Sequence, residues 1–155
     1  MNASLISPHG GSLIDLFADE EHAAKLKTDS RDWPSHDLTP RQLCDLELLL
    51  NGGFSPLTGF MNKADYDRVC QEMRIGNNTL WPIPITLDIS EVLAKSLKSG
   101  TNLVLRDAEG VMNAVLKVED VWKPDREAEA MAIFGTINRE HPGVSHLLEH
   151  TESNY

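Results

Sequence analysis

The run LTPRQLCDLELLLNGGFSPLTGFM, residues 38–61, constrains the fold more than any other stretch of the chain. Thr39 can cap a helix through its hydroxyl, Pro40 suits the first helical position, and Gln42 stands three residues after the cap, at capping-box spacing. A helix therefore begins at Thr39. Leu43, Leu46, Leu49 and Leu50 then recur at helical spacing and give it one buried stripe. Gly52 or Gly53 supplies the left-handed backbone that ends helices, Pro56 pushes Ser55 extended, and PLTG offers a turn. Phe54, Leu57, Phe60 and Met61 make this reversal more apolar than a solvent-exposed lid. Burying each aromatic ring would contribute about 1.5–3 kcal/mol, so a packed loop is expected.

Patterns elsewhere are shorter. Before Thr39, SPHGGSLIDLF reads as an arm, DEEHAAKLK as a short helix and TDSRDWPSHD as a polar loop. A helix is expected from about Asn62, with Tyr66, Val69, Cys70 and Met73 on one face and its end near residues 76–78. In IPITLDI, Ile83, Ile85, Leu87 and Ile89 alternate with Pro84, Thr86 and Asp88, which predicts a half-buried strand, placed at an edge or bulge by Pro84. SEVLAKSL is a short helix capped by Ser90 and closed by Gly100. NLVLRD and VMNAVLKVEDVW read as a hairpin, with Met112, Ala114, Leu116, Val118 and Trp122 on one face. DREAEAMAIFGT and HPGVSHLLEH suggest two short helices. Interspersed elements with a hairpin favour α+β with a small, mostly antiparallel sheet or barrel over a doubly wound fold.

With 155 residues, 41% of them hydrophobic, the chain is sized for a single domain with one ordinary core. No stretch approaches the roughly 20 apolar residues that span a bilayer, and the start MNASLISPHGGS lacks the basic and apolar regions of a secretory signal, so a cytoplasmic location is expected. Cys44 and Cys70 sit in helical, partly apolar segments and are expected as buried thiols in a reducing compartment. A net charge of −10, with basic residues scattered, argues against nucleic acid and against anionic membranes as partners.

Catalytic signals are sparse. Neither GxxxxGK[ST] nor GxGxxG occurs, and GGFSPLTGF follows a helix and carries no lysine, so it makes a poor phosphate loop. His146 and His150 lie four apart, with Glu149 and His141 near in sequence, but no third metal ligand is placed as metal chemistry would need. His9 and His36 read as solvated loop residues. The acidic runs DEE at 19–21 and EAE at 127–129 read as solvated helix faces, and no serine lies in G-x-S-x-G. No catalytic, cofactor-binding or metal-binding residue is assigned.

The run from residue 38 to 61 closely resembles the N-terminal domain of ATP sulfurylase (sulfate adenylyltransferase), and LWPIPITLDI, LRDAEG, EAMAIFGT and HPGV follow in that domain's order, so the resemblance covers essentially residues 1–155. It implies a PUA-like pseudobarrel of mostly antiparallel strands with flanking helices. It also implies a parent reaction in which ATP and sulfate, with magnesium, give adenylyl sulfate and pyrophosphate. In that family the chemistry belongs to a following nucleotidyltransferase domain with Q-x-R-N-P-x-H-x-x-H and G-R-D-H-A-G motifs, neither of which occurs here. The chain is thus expected to be a non-catalytic domain, as a fragment or as a separate reading frame. Its implied partners are the catalytic domain and further copies in a homo-oligomer. The alternative is a stand-alone module that binds RNA, a nucleotide or a sulfur metabolite.

Overall fold

The computed structural model describes residues 5–150 and 155, with the side chain of residue 150 excepted. The described residues form six α-helices and three strands: α1 (Glu20–Asp29), β1 (Ser35–Asp37), α2 (Pro40–Leu50), α3 (Lys63–Glu72), α4 (Glu91–Ser96), β2 (Asn102–Arg106), β3 (Met112–Lys117), α5 (Arg126–Phe134) and α6 (Pro142–Ser145). A π-helical turn, His146–His150, follows α6. The chain divides into two compact units, residues 1–60 with 102–116, and residues 61–101 with 117–155.

The first unit holds the sheet, ordered β1-β2-β3. β2 is its middle strand and is buried on both faces, with Leu103, Val104 and Leu105 each 1% exposed or less. This explains an apolar run where a half-buried strand would alternate. The turn after β2 is closed by the Asp107 amide donating to the Val111 carbonyl at 3.1 Å, a reversal short enough only for an antiparallel partner. β1 instead runs parallel to β2, pairing Ser35 with Val104, His36 with Leu105 and Asp37 with Arg106. The expected polar loop therefore contains a strand. Ser-His-Asp has little strand propensity, and β1 owes its form to pairing on β2. The α+β expectation holds, with the described strands forming an open, mixed three-stranded sheet.

The helix starting at Thr39 forms as expected. The Thr39 hydroxyl accepts from the Gln42 amide at 3.3 Å and Gln42 Oε1 accepts from the Thr39 amide at 3.0 Å. Leu46 and Leu49 are buried and Leu43 and Leu50 half-buried, so the stripe is real. Cys44 falls on the opposite face and is exposed, and Cys70 is half-buried, which corrects the expectation of two buried thiols. Gly52 ends the turn at φ +82°, and a Cβ there would come within 2.4 Å of the Ile14 carbonyl, so side-chain absence is required twice over. The apolar loop is packed, through different residues than expected. Ser55, Leu57 and Met61 are buried, whereas Phe54 and Phe60 are half-buried.

In the second unit, α3 is capped by Asn62, whose side chain accepts from the Asp65 amide at 3.0 Å. It ends at Met73, which takes the left-handed conformation at φ 53°, several residues before the expected stop. Met73 consequently leaves the apolar stripe and is 52% exposed, while Val69 is fully buried. The strand expected over residues 83–89 is extended chain without strand pairing. Pro82 and Pro84 offer no amide, and the segment is held by single bonds, the Met61 amide to the Ile85 carbonyl at 2.8 Å and the Ile89 amide to the Tyr155 carbonyl at 2.6 Å. No described helix is long and apolar enough to cross a membrane.

Candidate functional site

The buried polar groups of the second unit converge on the groove between α3 and α5. Asp125 caps α5 by accepting from the Ala128 amide at 3.0 Å, and Gly135 ends it at φ 68°. Helical spacing then turns Ala128, Glu129 and Ala132 of α5 and Tyr66 and Cys70 of α3 toward one cleft, of about 380 Å³. The loop 122–125 closes its side with Trp122, Lys123 and Pro124, and Lys63 stands at the margin.

Glu129 is the central charge. It is 8% exposed, and its Oε2 accepts from the Tyr66 hydroxyl at 2.9 Å and from Arg126 Nη1 at 3.0 Å. The other guanidinium nitrogen of Arg126 pairs with Asp88. Desolvating a carboxylate this far is tolerable only with such compensation. Glu129 Oε1 takes no hydrogen bond among the described residues. Burial, reinforced by the Glu129 charge, pushes the Tyr66 phenol well above the ordinary tyrosine value. The same causes push the Cys70 thiol up, leaving it little thiolate at neutral pH.

Trp122 packs against Tyr66 with ring centroids 5.6 Å apart and planes tilted by 52°. Its indole Nε1 is enclosed and meets no hydrogen-bond acceptor. An unmet buried donor costs on the order of 1–3 kcal/mol.

The candidates weighed from sequence lie elsewhere or play other roles. Glu127 is exposed as expected, but Glu129, read as part of a solvated face, is the buried ion described above. His36, read as a solvated loop residue, sits on β1 with Nε2 3.2 Å from Gln42 Oε1. Because that oxygen also accepts from the Thr39 amide, Nε2 is the donor. His141 Nδ1 accepts from the Gly143 amide at 3.2 Å, and its ring lies 4.9 Å from Phe134. Glu149 pairs with Arg139 at 3.3 Å and accepts from the Ser145 hydroxyl at 2.8 Å. The His146 side chain is exposed, and that of His150 lies outside the described residues. Among the described residues no three His, Cys, Asp or Glu gather to hold a metal ion. In the loop 51–59 the amides of Gly53, Phe54, Ser55 and Leu57 are spent on Asn51 Oδ1 and on the carbonyls of Leu48, Gly52 and Phe54. Those amides cannot cradle a phosphate. The enclosed indole nitrogen of Trp122 and the buried carboxylate of Glu129 were not legible in the sequence, since nothing local distinguishes them from core and surface residues.

Comparison with known proteins gives a consistent neighbourhood. The profile of the PUA-like domain family matches residues 6–155. A sulfate adenylyltransferase of Eremothecium gossypii is 45% identical over 146 residues, which is 94% of this chain and 29% of the relative. One of Saccharomyces cerevisiae is 45% identical over 144 residues, 91% of this chain and 28% of the relative. Among solved structures, a hexameric APS kinase from Thiobacillus denitrificans superposes with a TM-score of 0.72 at 42% identity, covering 78% of this chain and 24% of that one. The chain thus spans less than a third of the length of the curated relatives it matches.

Proposed function

Since this chain belongs to the PUA-like domain family, we propose that it serves as the accessory N-terminal domain of a sulfate adenylyltransferase, supporting a separate catalytic domain that converts ATP and sulfate to adenylyl sulfate and pyrophosphate. The observation that carries this reading is the 45% identity sustained over 94% of the chain, against a relative more than three times as long. In this reading the chain performs no chemistry itself, acts in the cytoplasm, and contributes to contacts between enzyme copies. The hexameric neighbour supports the last point.

The side chains support a non-catalytic role. Stabilising charge on an attacked phosphate takes convergent cations or a metal. In the glycine-bearing loop the amides of Gly53, Phe54, Ser55 and Leu57 are spent on the protein's own oxygens. Arg126 is committed to Asp88 and Glu129, and Arg68 to Glu72 and the Gly76 carbonyl. The net charge of −10 weighs against the RNA-binding alternative.

Two measurements test the proposal. Incubated with ATP, magnesium, sulfate and pyrophosphatase, the chain alone is expected to release no phosphate above the blank. Co-expressed with the catalytic region of a relative, it is expected to raise the soluble yield of that region. Steady turnover by the chain alone, or a catalytic region indifferent to its presence, would refute the role.

A further inference from the structure

We propose that the backbone edge of residues 87–89 receives an added antiparallel strand, supplied by the segment that follows the counterpart of Tyr155 in the parent enzyme. The inference rests on the accessory-domain reading above and names the surface through which that domain holds the continuing chain.

The receiving edge lies within the second unit. Residues 83–89 alternate apolar and polar side chains, yet they pair with no strand among the described residues. Two backbone bonds hold them: the Met61 amide donates to the Ile85 carbonyl at 2.8 Å, and the Ile89 amide donates to the Tyr155 carbonyl at 2.6 Å. In extended chain, residues two apart address the same edge, so Ile85, Leu87 and Ile89 share one. Leu87 lies between the two bonded residues, and among the described residues neither its amide nor its carbonyl takes a hydrogen bond. The bond at Tyr155 is thus one rung of a ladder with an open rung beside it.

The direction of pairing follows from what lies on either side. A chain leaving Tyr155 parallel to this segment would run along Ser90 and Glu91, where α4 begins and the backbone turns to its own helical bonds. The antiparallel direction carries it back past Leu87. The second residue after Tyr155 then faces Leu87, its carbonyl accepting from the Leu87 amide and its amide donating to the Leu87 carbonyl. The Met61 bond occupies the edge at Ile85 and ends the pairing there. The receiving segment is anchored independently of the newcomer, since Asp88 pairs with Arg126, which also holds Glu129, and Ile89 is 5% exposed. Addition of a strand to a fixed edge draws its affinity from the main chain. The relatives supply the occupant, because this chain covers only 29% of the Eremothecium gossypii enzyme and 28% of the Saccharomyces cerevisiae one.

The test compares amide hydrogen exchange in the full chain with that in the same chain extended past Tyr155. The extension is the run of about fifteen residues that follows the matched segment in the Saccharomyces cerevisiae relative, enough for one strand and its exit. A third chain carries the same extension with proline at the second position after Tyr155. The Leu87 amide is expected to exchange at least about tenfold more slowly in the extended chain, while that of Thr86, which addresses the opposite edge, is unchanged. Proline lacks the donor that the ladder needs and is expected to abolish the slowing. An equal Leu87 rate in the short and extended chains would overturn the proposal. So would equal slowing at Thr86, or slowing that survives the proline. Each of these failures leaves the accessory reading standing, because that reading is decided by the soluble yield of a catalytic region co-expressed with the unextended chain.

Discussion

At the scale of single residues, enclosure decides what a side chain is worth, and apolar character alone does not. Leu49 of α2 is 2% exposed, and Leu49→Ala is expected to cost about 2–5 kcal/mol through lost transfer and the cavity left behind. Phe54, the larger side chain, is half-buried, so Phe54→Ala should cost only about 1–2 kcal/mol. Urea denaturation of both variants checks the order, and a costlier Phe54→Ala would contradict it. The pattern of leucines along α2 was legible because helical spacing reports a face. The burial of Glu129 was not, because a glutamate just after the exposed Glu127 and Ala128 gives no local sign of partners supplied by Tyr66 and Arg126.

Elements were legible where the signal is carried by their own ends. Thr39 with Gln42, Asn62, Ser90 and Asp125 all cap helices through their side chains, and each of those starts is fixed within one turn of chain. Strand signals failed where pairing comes from afar. Alternation over residues 83–89 did not make a strand, whereas β1, with no alternation of note, did so by lying along β2. The hairpin between β2 and β3 depends on Asp107, whose Oδ1 accepts from the Val111 amide at 2.8 Å and the Glu109 amide at 3.1 Å. The backbone bond from Val111 leads the causes that hold this carboxyl below the usual aspartate value. A depressed folded value means that the turn gains from ionisation. Its support is present above the ordinary aspartate pKa of about 3.9 and is lost as pH falls further, through the lower folded value. Hydrogen exchange at the Val111 amide should therefore show weakening protection below about pH 4, and Asp107→Ala should show weak protection at neutral pH as well. Protection unchanged by the substitution would show the turn to be held by its backbone alone.

For the whole molecule, the decisive property is that each unit is assembled from two separated stretches of chain, 1–60 with 102–116 and 61–101 with 117–155. A peptide of residues 1–60 retains α1, β1 and α2 but lacks β2, whose Leu103, Val104 and Leu105 are the most enclosed residues of the sheet. That peptide is expected to show no cooperative thermal transition by circular dichroism, and a sharp one would show that the first stretch is self-sufficient. The interleaving also sets the order of events on the ribosome. The leading segment must wait as an unfinished half until the hairpin has emerged, with β1 left without its partner strand for the time it takes to translate more than fifty further codons. Slow translation of that interval would lengthen the exposure, which makes chaperone demand a property written into the path of this chain.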